Sequence, residues 1–386
     1  MLRPPFSLER RPQPSRVMFY LTPLFAVLLT LVAGVVLFAA LGKPPLQALS
    51  LIFITPLTTL RGLAELTVKA TPLILIAVGL AAGFRADVPD AGAEGQYVIG
   101  ALTGGSLALA VYPATGWWLL PTMALSGIAG GAAWGAIPAL LRTRFNANEI
   151  LVSLMLTYVA VLLLGSLVHG PLRDPDGLNF PESRLFQTAL PQIIPGTRAH
   201  IGFVVALLAA VAAWVLLERH LVGFQIKVLG QAPRAARFGG FSEKRLIWLC
   251  FLLSGGCAGL AGLFEAAGPV GQLVPQLPVG YGFTAIVVAF LGRLHPAGIV
   301  LAGLLMALTY IGGETAQIGM SLPSAATAVF QGLFLFFLLA CEVLVGYRLR
   351  WNLRPGSREW GMGSREWEAQ RPNSPLPTPH SRAGGK

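Results

Sequence analysis

Apolar residues along this chain come in long blocks rather than at the spacing of one buried face. Runs of roughly twenty mostly apolar residues, the length that crosses a hydrocarbon core, recur from Val17 to Gly346. They predict about ten helices, near 17–42, 68–85, 95–113, 117–141, 149–169, 200–217, 245–266, 281–292, 297–313 and 324–346. The first run is too long for a signal-peptide core and reads as a retained helix. Segment 44–67, with Pro56, Arg61 and Glu65, is semi-polar and fits either the membrane interface or an extension of the second helix. The pattern predicts an all-α, polytopic integral membrane protein of the multi-pass kind found in a plasma or inner membrane.

Basic residues orient it. With the N-terminus inside, the inner loops hold Arg3, Arg10, Arg11, Arg16, Arg85, Arg142 and Arg144, then Arg219, Lys227, Arg234, Arg237, Lys244 and Arg245, and finally Arg293, Arg348, Arg350 and Arg354. The outer side receives Lys43, Arg61, Lys69, Arg173, Arg184 and Arg198. This asymmetry follows the positive-inside rule and predicts that both termini are cytoplasmic. It divides the chain into a cytoplasmic segment 1–16, a transmembrane domain 17–347 and a cytoplasmic tail 348–386. The tail is rich in Pro, Gly and Ser, repeats Gly-Ser-Arg-Glu-Trp at 356–360 and 363–367, and is expected to be disordered.

Composition sharpens the class. Of 386 residues, 54% are hydrophobic and 12% charged, about half the charged fraction of a soluble domain. The net charge of +11 is accounted for by inner-loop residues, so nucleic acid is not expected as a partner; the lipid membrane is. Cys250, Cys257 and Cys341 lie in apolar runs at no zinc spacing, so neither a metal nor a disulfide follows from them.

No Gly-x-x-x-x-Gly-Lys-Ser/Thr loop is present, so this chain is not expected to bind ATP phosphates itself. Neither His-Glu-x-x-His nor Gly-x-Ser-x-Gly occurs, and no catalytic residues are assigned. Glu149, Glu265, Glu314 and Glu342 fall at or near predicted helix ends, which weakens an ion-coupled carrier, since such carriers place ionisable groups at membrane depth. A source of energy outside the chain is expected.

Two polar segments are long enough to meet partners. The outer loop, 170–198, carries five prolines and reads as extended pieces. The inner loop, 218–245, is basic. In it Pro233 starts a short helical stretch, Arg234-Ala235-Ala236-Arg237-Phe238, stopped by Gly239-Gly240. Ala235, Ala236 and Phe238 beside two arginines would suit a groove on a cytoplasmic protein; a solvated basic loop that only sets topology is the alternative. Gly127, Gly131 and Gly135, and Gly255 and Gly259, repeat every four residues and predict close helix packing.

Four blocks together resemble the ATP-binding-cassette permeases of the simple-sugar and nucleoside group, within the branched-chain amino acid and ribose permease superfamily. They are Gly92-Ala93-Glu94-Gly95-Gln96 after Phe84-Arg85-Ala86, Asn148-Glu149-Ile150 with Leu154-Met155-Leu156-Thr157-Tyr158, Gly223 to Gly240, and Gly280-Tyr281-Gly282-Phe283-Thr284 with Ala289-Phe290-Leu291-Gly292-Arg293. The resemblance covers about 60–347. It implies two permease subunits, alike or different, two cytoplasmic ATPases that bind the ATP, and an extracytoplasmic solute-binding protein or lipoprotein. It also implies that Pro233, Arg234, Ala235, Ala236, Arg237, Phe238 and Gly239 couple to the ATPase. This chain departs from the family at Pro89-Asp90-Ala91-Gly92, at Thr157 and at Leu229-Gly230-Gln231, which bears on the solute more than on the role.

Between two apolar runs lies Arg85 to Gln96, with four charges and the breakers Pro89, Gly92 and Gly95. It reads either as a turn, with Asp90 and Glu94 capping a helix from Ala93, or as a broken helix dipping into the bilayer to face a pathway. A second Gly/Pro-rich break, Gly268 to Gly282, precedes the short apolar helix from Phe283. Paired interruptions in two halves point to a transporter site and an internal pseudo-repeat. If they line a path, Asp87, Asp90 and Glu94, opposed by Arg85 alone, repel anions. Gln96, Tyr97, Gln272, Tyr281, Phe283 and Thr284 then offer hydrogen bonds and rings to a neutral polar solute. The expectation is an importer permease for a nucleoside or simple sugar. An ion-coupled carrier, an exporter of the same build and a branched-chain amino acid permease are the alternatives.

Overall fold

A computed structural model describes residues 6–10, 16–177 and 180–351. Each predicted apolar run is helical, and the elements in order are β1 (Phe6–Arg10), α1 (Arg16–Ala40), α2 (Pro45–Phe53), α3 (Thr55–Thr58), α4 (Leu60–Arg85) and α5 (Ala93–Ala110). They continue with α6 (Leu119–Phe145), α7 (Glu149–His169), α8 (Gly202–Trp214), α9 (Leu221–Gln231), α10 (Pro233–Phe238) and α11 (Glu243–Glu265). α12 (Tyr281–Leu291), α13 (Pro296–Met320), α14 (Ser324–Gly346) and β2 (Tyr347–Trp351) close the order. π-helical turns at Val215–Arg219 and Ala266–Val270 prolong α8 and α11.

Among the described residues, seven helices are long and apolar enough to cross a membrane: Leu60–Arg85, Leu119–Phe145, Glu149–His169, Gly202–Arg219, Glu243–Val270, Pro296–Met320 and Ser324–Cys341. Segment 44–67 resolves into α2, α3 and the first turns of α4, so its last residues lengthen the second predicted helix. α12 has 11 residues, about 16 Å of rise, roughly half the ~30 Å hydrocarbon thickness.

Two departures concern the chain's ends. Tyr347–Trp351, expected to belong largely to a disordered tail, pairs antiparallel with Phe6–Arg10, Phe6 opposite Trp351 and Arg10 opposite Tyr347. Tyr347–Trp351 alternates apolar and polar residues throughout and Phe6–Glu9 does so over four, the period of a strand, so the otherwise helical fold carries a two-stranded ribbon that joins these two stretches. Residues 1–5, 11–15 and 352–386, the last including the repeated Gly-Ser-Arg-Glu-Trp, lie outside the described residues.

α4 and α11 form the centre. Their apolar windows are 83% and 67% buried, against 22–29% for α6, α7, α8 and α14, which leave most of their apolar surface outward for lipid or another subunit. Glycines permit the central crossing. A Cβ on Gly259 would lie 2.2 Å from the Gly127 carbonyl oxygen, one on Gly131 2.2 Å from that of Gly255, and one on Gly100 2.1 Å from Gly259 Cα. The two stripes seen in the sequence therefore face one another, and α5, α6 and α11 meet backbone to backbone. Cys250, Cys257 and Cys341 are unpaired thiols in apolar surroundings.

Candidate functional site

Both chain breaks enter the helical core and meet there. α4 ends at Arg85, and residues 86–92 turn back against it, the Val88 amide hydrogen-bonding to the Gly83 carbonyl at 2.9 Å. Asp90 reaches Ser254, whose hydroxyl donates to Asp90 Oδ2 at 2.7 Å. Ser254 is near the middle of the 28-residue stretch Glu243–Val270, so the first break lies at half-span depth and α5 starts from there. Irregular backbone at that depth requires internal partners, and they are present. Asp90 Oδ1 accepts from the Gly92 amide at 2.9 Å, Asp90 Oδ2 accepts from Gln96 Nε2 at 2.9 Å, and the Ala91 amide donates to Ser153 Oγ at 3.3 Å.

The second break arrives from the opposite end. Its entrance is tied to the loop between α7 and α8: Gln272 Nε2 donates to Glu182 at 2.9 Å, and the Leu273 amide donates to Ser183 Oγ at 2.9 Å. Its far end places Gly280, with φ +88°, at the start of α12. Here Glu94 Oε1 accepts from the Gly280 amide at 2.8 Å and Oε2 from the Gly282 amide at 2.5 Å. A carboxylate at a helix N-terminus satisfies its unpaired donors and the positive end of its dipole.

This refines the capping expectation. Helix α5 does begin at Ala93, but its N-cap, Gly92, has no side chain with which to cap it. Asp90 instead closes a local turn, and Glu94 caps a helix nearly two hundred residues away. A side chain on Gly282 would collide with Glu94, its Cβ falling 2.3 Å from the Glu94 amide, so glycine there sets the close approach of the two helix starts.

Around this junction stand three rings. Tyr97 and Tyr281 meet edge to face at 6.1 Å, as do Tyr281 and Tyr310, and Thr284 Oγ1 lies 2.9 Å from Tyr310 Oη. Lys69 Nζ sits 5.8 Å from the Tyr281 ring centroid and 3.5 Å from Glu314. Of the candidate residues, Asp90, Glu94, Gln96, Tyr97, Tyr281 and Thr284 are all buried around the two helix starts. Gln272 stands apart at the entrance of the second break, and Phe283 is 44% exposed on the outer surface of α12.

Arg85 is not the counter-charge of the break. It turns to the membrane-end cluster, where Nη2 pairs with Glu218 at 2.7 Å and Nε donates to the Leu294 carbonyl at 3.0 Å. Of the glutamates expected at or near helix ends, Glu149 opens α7 and Glu342 lies in the last turns of α14. Glu265 is the last residue of α11 and is buried, with the π-turn following it, whereas α13 runs on to Met320, which sets Glu314 within the helix. Sequence reading missed Ser254, Glu265 and Tyr310. Each is a single polar residue in an apolar run, and the signal available was that burying one there requires a partner.

At the other end of the molecule α10 is a six-residue helix from Pro233 to Phe238, with Gly239 as its C-cap and Gly240 at φ +77°. Arg234, Ala235 and Phe238 project outward, Phe238 being 93% exposed. Ala236 is buried and anchors the helix instead of presenting itself, and Arg237 is held by Glu243 at 2.8 Å. Among the described residues there is no group of three or more His, Cys, Asp or Glu side chains able to hold a metal.

A helical membrane domain with two opposed broken segments, a long loop on one and a projecting helix at the other end, has the build of a transport permease. The chain belongs to the family described as the permease component of branched-chain amino acid transport systems, which it matches over residues 62–339. It is therefore a multi-pass plasma-membrane protein. It is 37% identical to the glucose ABC transporter permease protein TsgB13 of Haloferax volcanii over 86% of this chain and 90% of that protein. It is 29% identical to the guanosine ABC transporter permease protein NupP of Bacillus subtilis, over 84% and 94% of the two chains. With the nucleoside ABC transporter permease protein NupB of Lactococcus lactis it shares 26% over 82% and 90%. No solved structure matches the chain.

Proposed function

We propose that this chain is the permease subunit of an ATP-binding-cassette importer that passes a neutral polar solute, a nucleoside or simple sugar. The observation that carries the proposal is its likeness, across most of both chains, to permeases of glucose, guanosine and nucleosides. The site agrees in character: rings and uncharged hydrogen-bonding groups beside carboxylates, a setting that disfavours anionic cargo. An amino acid's carboxylate would need a free cation, whereas Lys69, Arg85 and Arg198 each pair with a glutamate.

The transmembrane domain is taken to span 17–347, with about ten membrane-embedded helices of which α5 and α12 are the halves of an inverted pair. Both termini are cytoplasmic in this reading, and the β1–β2 ribbon, which holds them on one side, supports it. ATP is bound and hydrolysed by a separate cytoplasmic subunit that docks on α10 within the inner loop 218–245. The outer loop 170–198 receives an extracytoplasmic solute-binding protein. A second permease completes the pathway, and a non-identical one is favoured. Haloferax volcanii, Bacillus subtilis and Lactococcus lactis each have two permease proteins of one named transport activity that resemble this chain to different degrees.

Co-purification and uptake test the proposal. Arg234→Glu combined with Phe238→Ala removes the exposed contacts of α10 while keeping the Arg237–Glu243 pair that holds it. The expected result is a folded permease that no longer retains its ATPase or concentrates solute. Undiminished ATP-driven uptake by this variant, or uptake driven by an ion gradient with no ATPase present, overturns it.

A further inference from the structure

Four buried side-chain polar atoms have no protein partner among the described residues, and three of them border the C-terminal half of α11: Tyr97 Oη, Glu265 Oε2 and His200 Nε2. Natural proteins leave few such atoms, and each calls for an explanation. Tyr97 is fully buried, and its backbone carbonyl presses on Gly262, where a Cβ would fall within 1.9 Å. Glu265 follows Gly262 by three residues, on the same side of the helix. Beside Tyr97 stands the Tyr281 ring, and Tyr310 packs on the Tyr281 ring in turn.

We propose that Glu265 and Tyr97, walled by Tyr281 and Tyr310, form the membrane-depth binding site for the vicinal diol of the solute. This rests on the transport reading above and names the part of the solute that is read. The chemistry fits a diol closely. The carboxylate oxygen accepts an O–H from one hydroxyl, the phenol donates to its neighbour, and the ring faces take the apolar C–H side of a sugar or ribose ring. Anionic solutes meet Glu265, Glu94 and Glu314. Cationic ones meet Lys69 and Arg198, both of which lie close enough to act on Glu265. A neutral solute escapes both penalties. Glucose and a nucleoside both carry such a diol, so a single site serves either class.

The tyrosines close it. Tyr97 and Tyr281 are 0% and 1% exposed, so this is the occluded form of the site, and the solute enters when the two helix starts separate. Glu94 joins those starts through Gly280 and Gly282, which places the hinge of the site at the junction itself.

The test uses the whole complex, with ATPase, partner permease and solute-binding protein, reconstituted in liposomes. Uptake of labelled guanosine is compared with 2′,3′-dideoxyguanosine, and methyl α-D-glucoside with its 3-deoxy analogue, which has no two adjacent hydroxyls. The solute-binding protein's own affinities are measured separately and divided out. The diol-bearing solute is expected to be favoured by about 10–100-fold, the range of a hydrogen bond to a charged group. Glu265→Gln and Tyr97→Phe, each recovered as assembled complex, should erase that preference by slowing the diol and not its deoxy analogue. Equal losses for both solutes, or an unchanged preference, overturn the site; if one variant fails to assemble, the other decides. Absence of ATP-driven uptake of either solute by the wild-type complex overturns the transport reading, and the diol site with it.

Discussion

Glu94, at the start of α5, accepts the backbone amide of Gly282, at the start of α12, across 188 residues of chain. The same carboxylate takes the Gly280 amide, so one side chain satisfies two of the donors that every helix start leaves open. Glu94→Ala orphans both, at about 1–3 kcal/mol each. The expected outcome is a lower melting temperature in detergent and faster hydrogen exchange over 281–285, with Glu94→Gln intermediate because its amide retains one acceptor. Unchanged exchange in that segment would show that the junction does not hold α12.

Asp90 and Ser254 make the corresponding bond of the first break, at 2.7 Å. Because Asp90 Oδ2 also accepts from Gln96, Asp90→Ala leaves the buried Gln96 amide group without its acceptor and Ser254 with only the longer bond to Gln96 Oε1 at 3.4 Å. A double-mutant cycle of Asp90→Ala with Ser254→Ala should give a coupling of about 1–2 kcal/mol in unfolding free energy. Additive effects would place the two side chains out of contact.

Gly259 touches both Gly127 and Gly100, so the crossing of α5, α6 and α11 has no room for a methyl group. Gly259→Ala is expected to cost about 1–3 kcal/mol by overpacking, whereas Gly165→Ala, whose Cβ meets nothing within 4 Å, should be neutral or stabilising. Equal melting temperatures for the two variants would contradict the packing.

His200, just ahead of α8, accepts the Gly202 amide on Nδ1 at 3.2 Å. Burial pushes its imidazole from 6.5 down to about 4, so it is neutral in the folded protein. Between those values the unfolded chain binds the extra proton, and stability rises with pH. The gap corresponds to roughly 3 kcal/mol, fully present above pH 6.5 and lost as pH falls toward 4. His200→Asn keeps an acceptor for Gly202 and should flatten this part of the pH profile of thermal unfolding; an identical profile in wild type and variant would remove His200 as its source.

The membrane helices, the two breaks, the Pro233–Gly240 unit and the glycine stripes were legible in the sequence. Each depends on features within one or two turns of chain: apolar length, a Pro that fixes φ, a Gly that admits a positive φ or a close neighbour. Helix ends were less secure. α13 runs seven residues past the expected 313 because Gly312, Gly313 and Glu314 find packing and a Lys69 partner that override their poor local signal. The ribbon of Phe6–Arg10 with Tyr347–Trp351 was invisible, since neither strand is stable without the other.

The amino-acid order alone determined that this protein lies in a membrane, where its chain breaks, and which short helix it presents outside. Tertiary structure decided the rest: that Glu94 caps α12 and not its own helix, that Asp90 answers to Ser254, that Arg85 turns away to Glu218, and that Glu265 is buried one turn past Gly262, on which Tyr97 packs. The reason is physical. Apolar length and backbone restriction act within a segment, whereas a buried carboxylate needs whichever donors the converging segments bring to it.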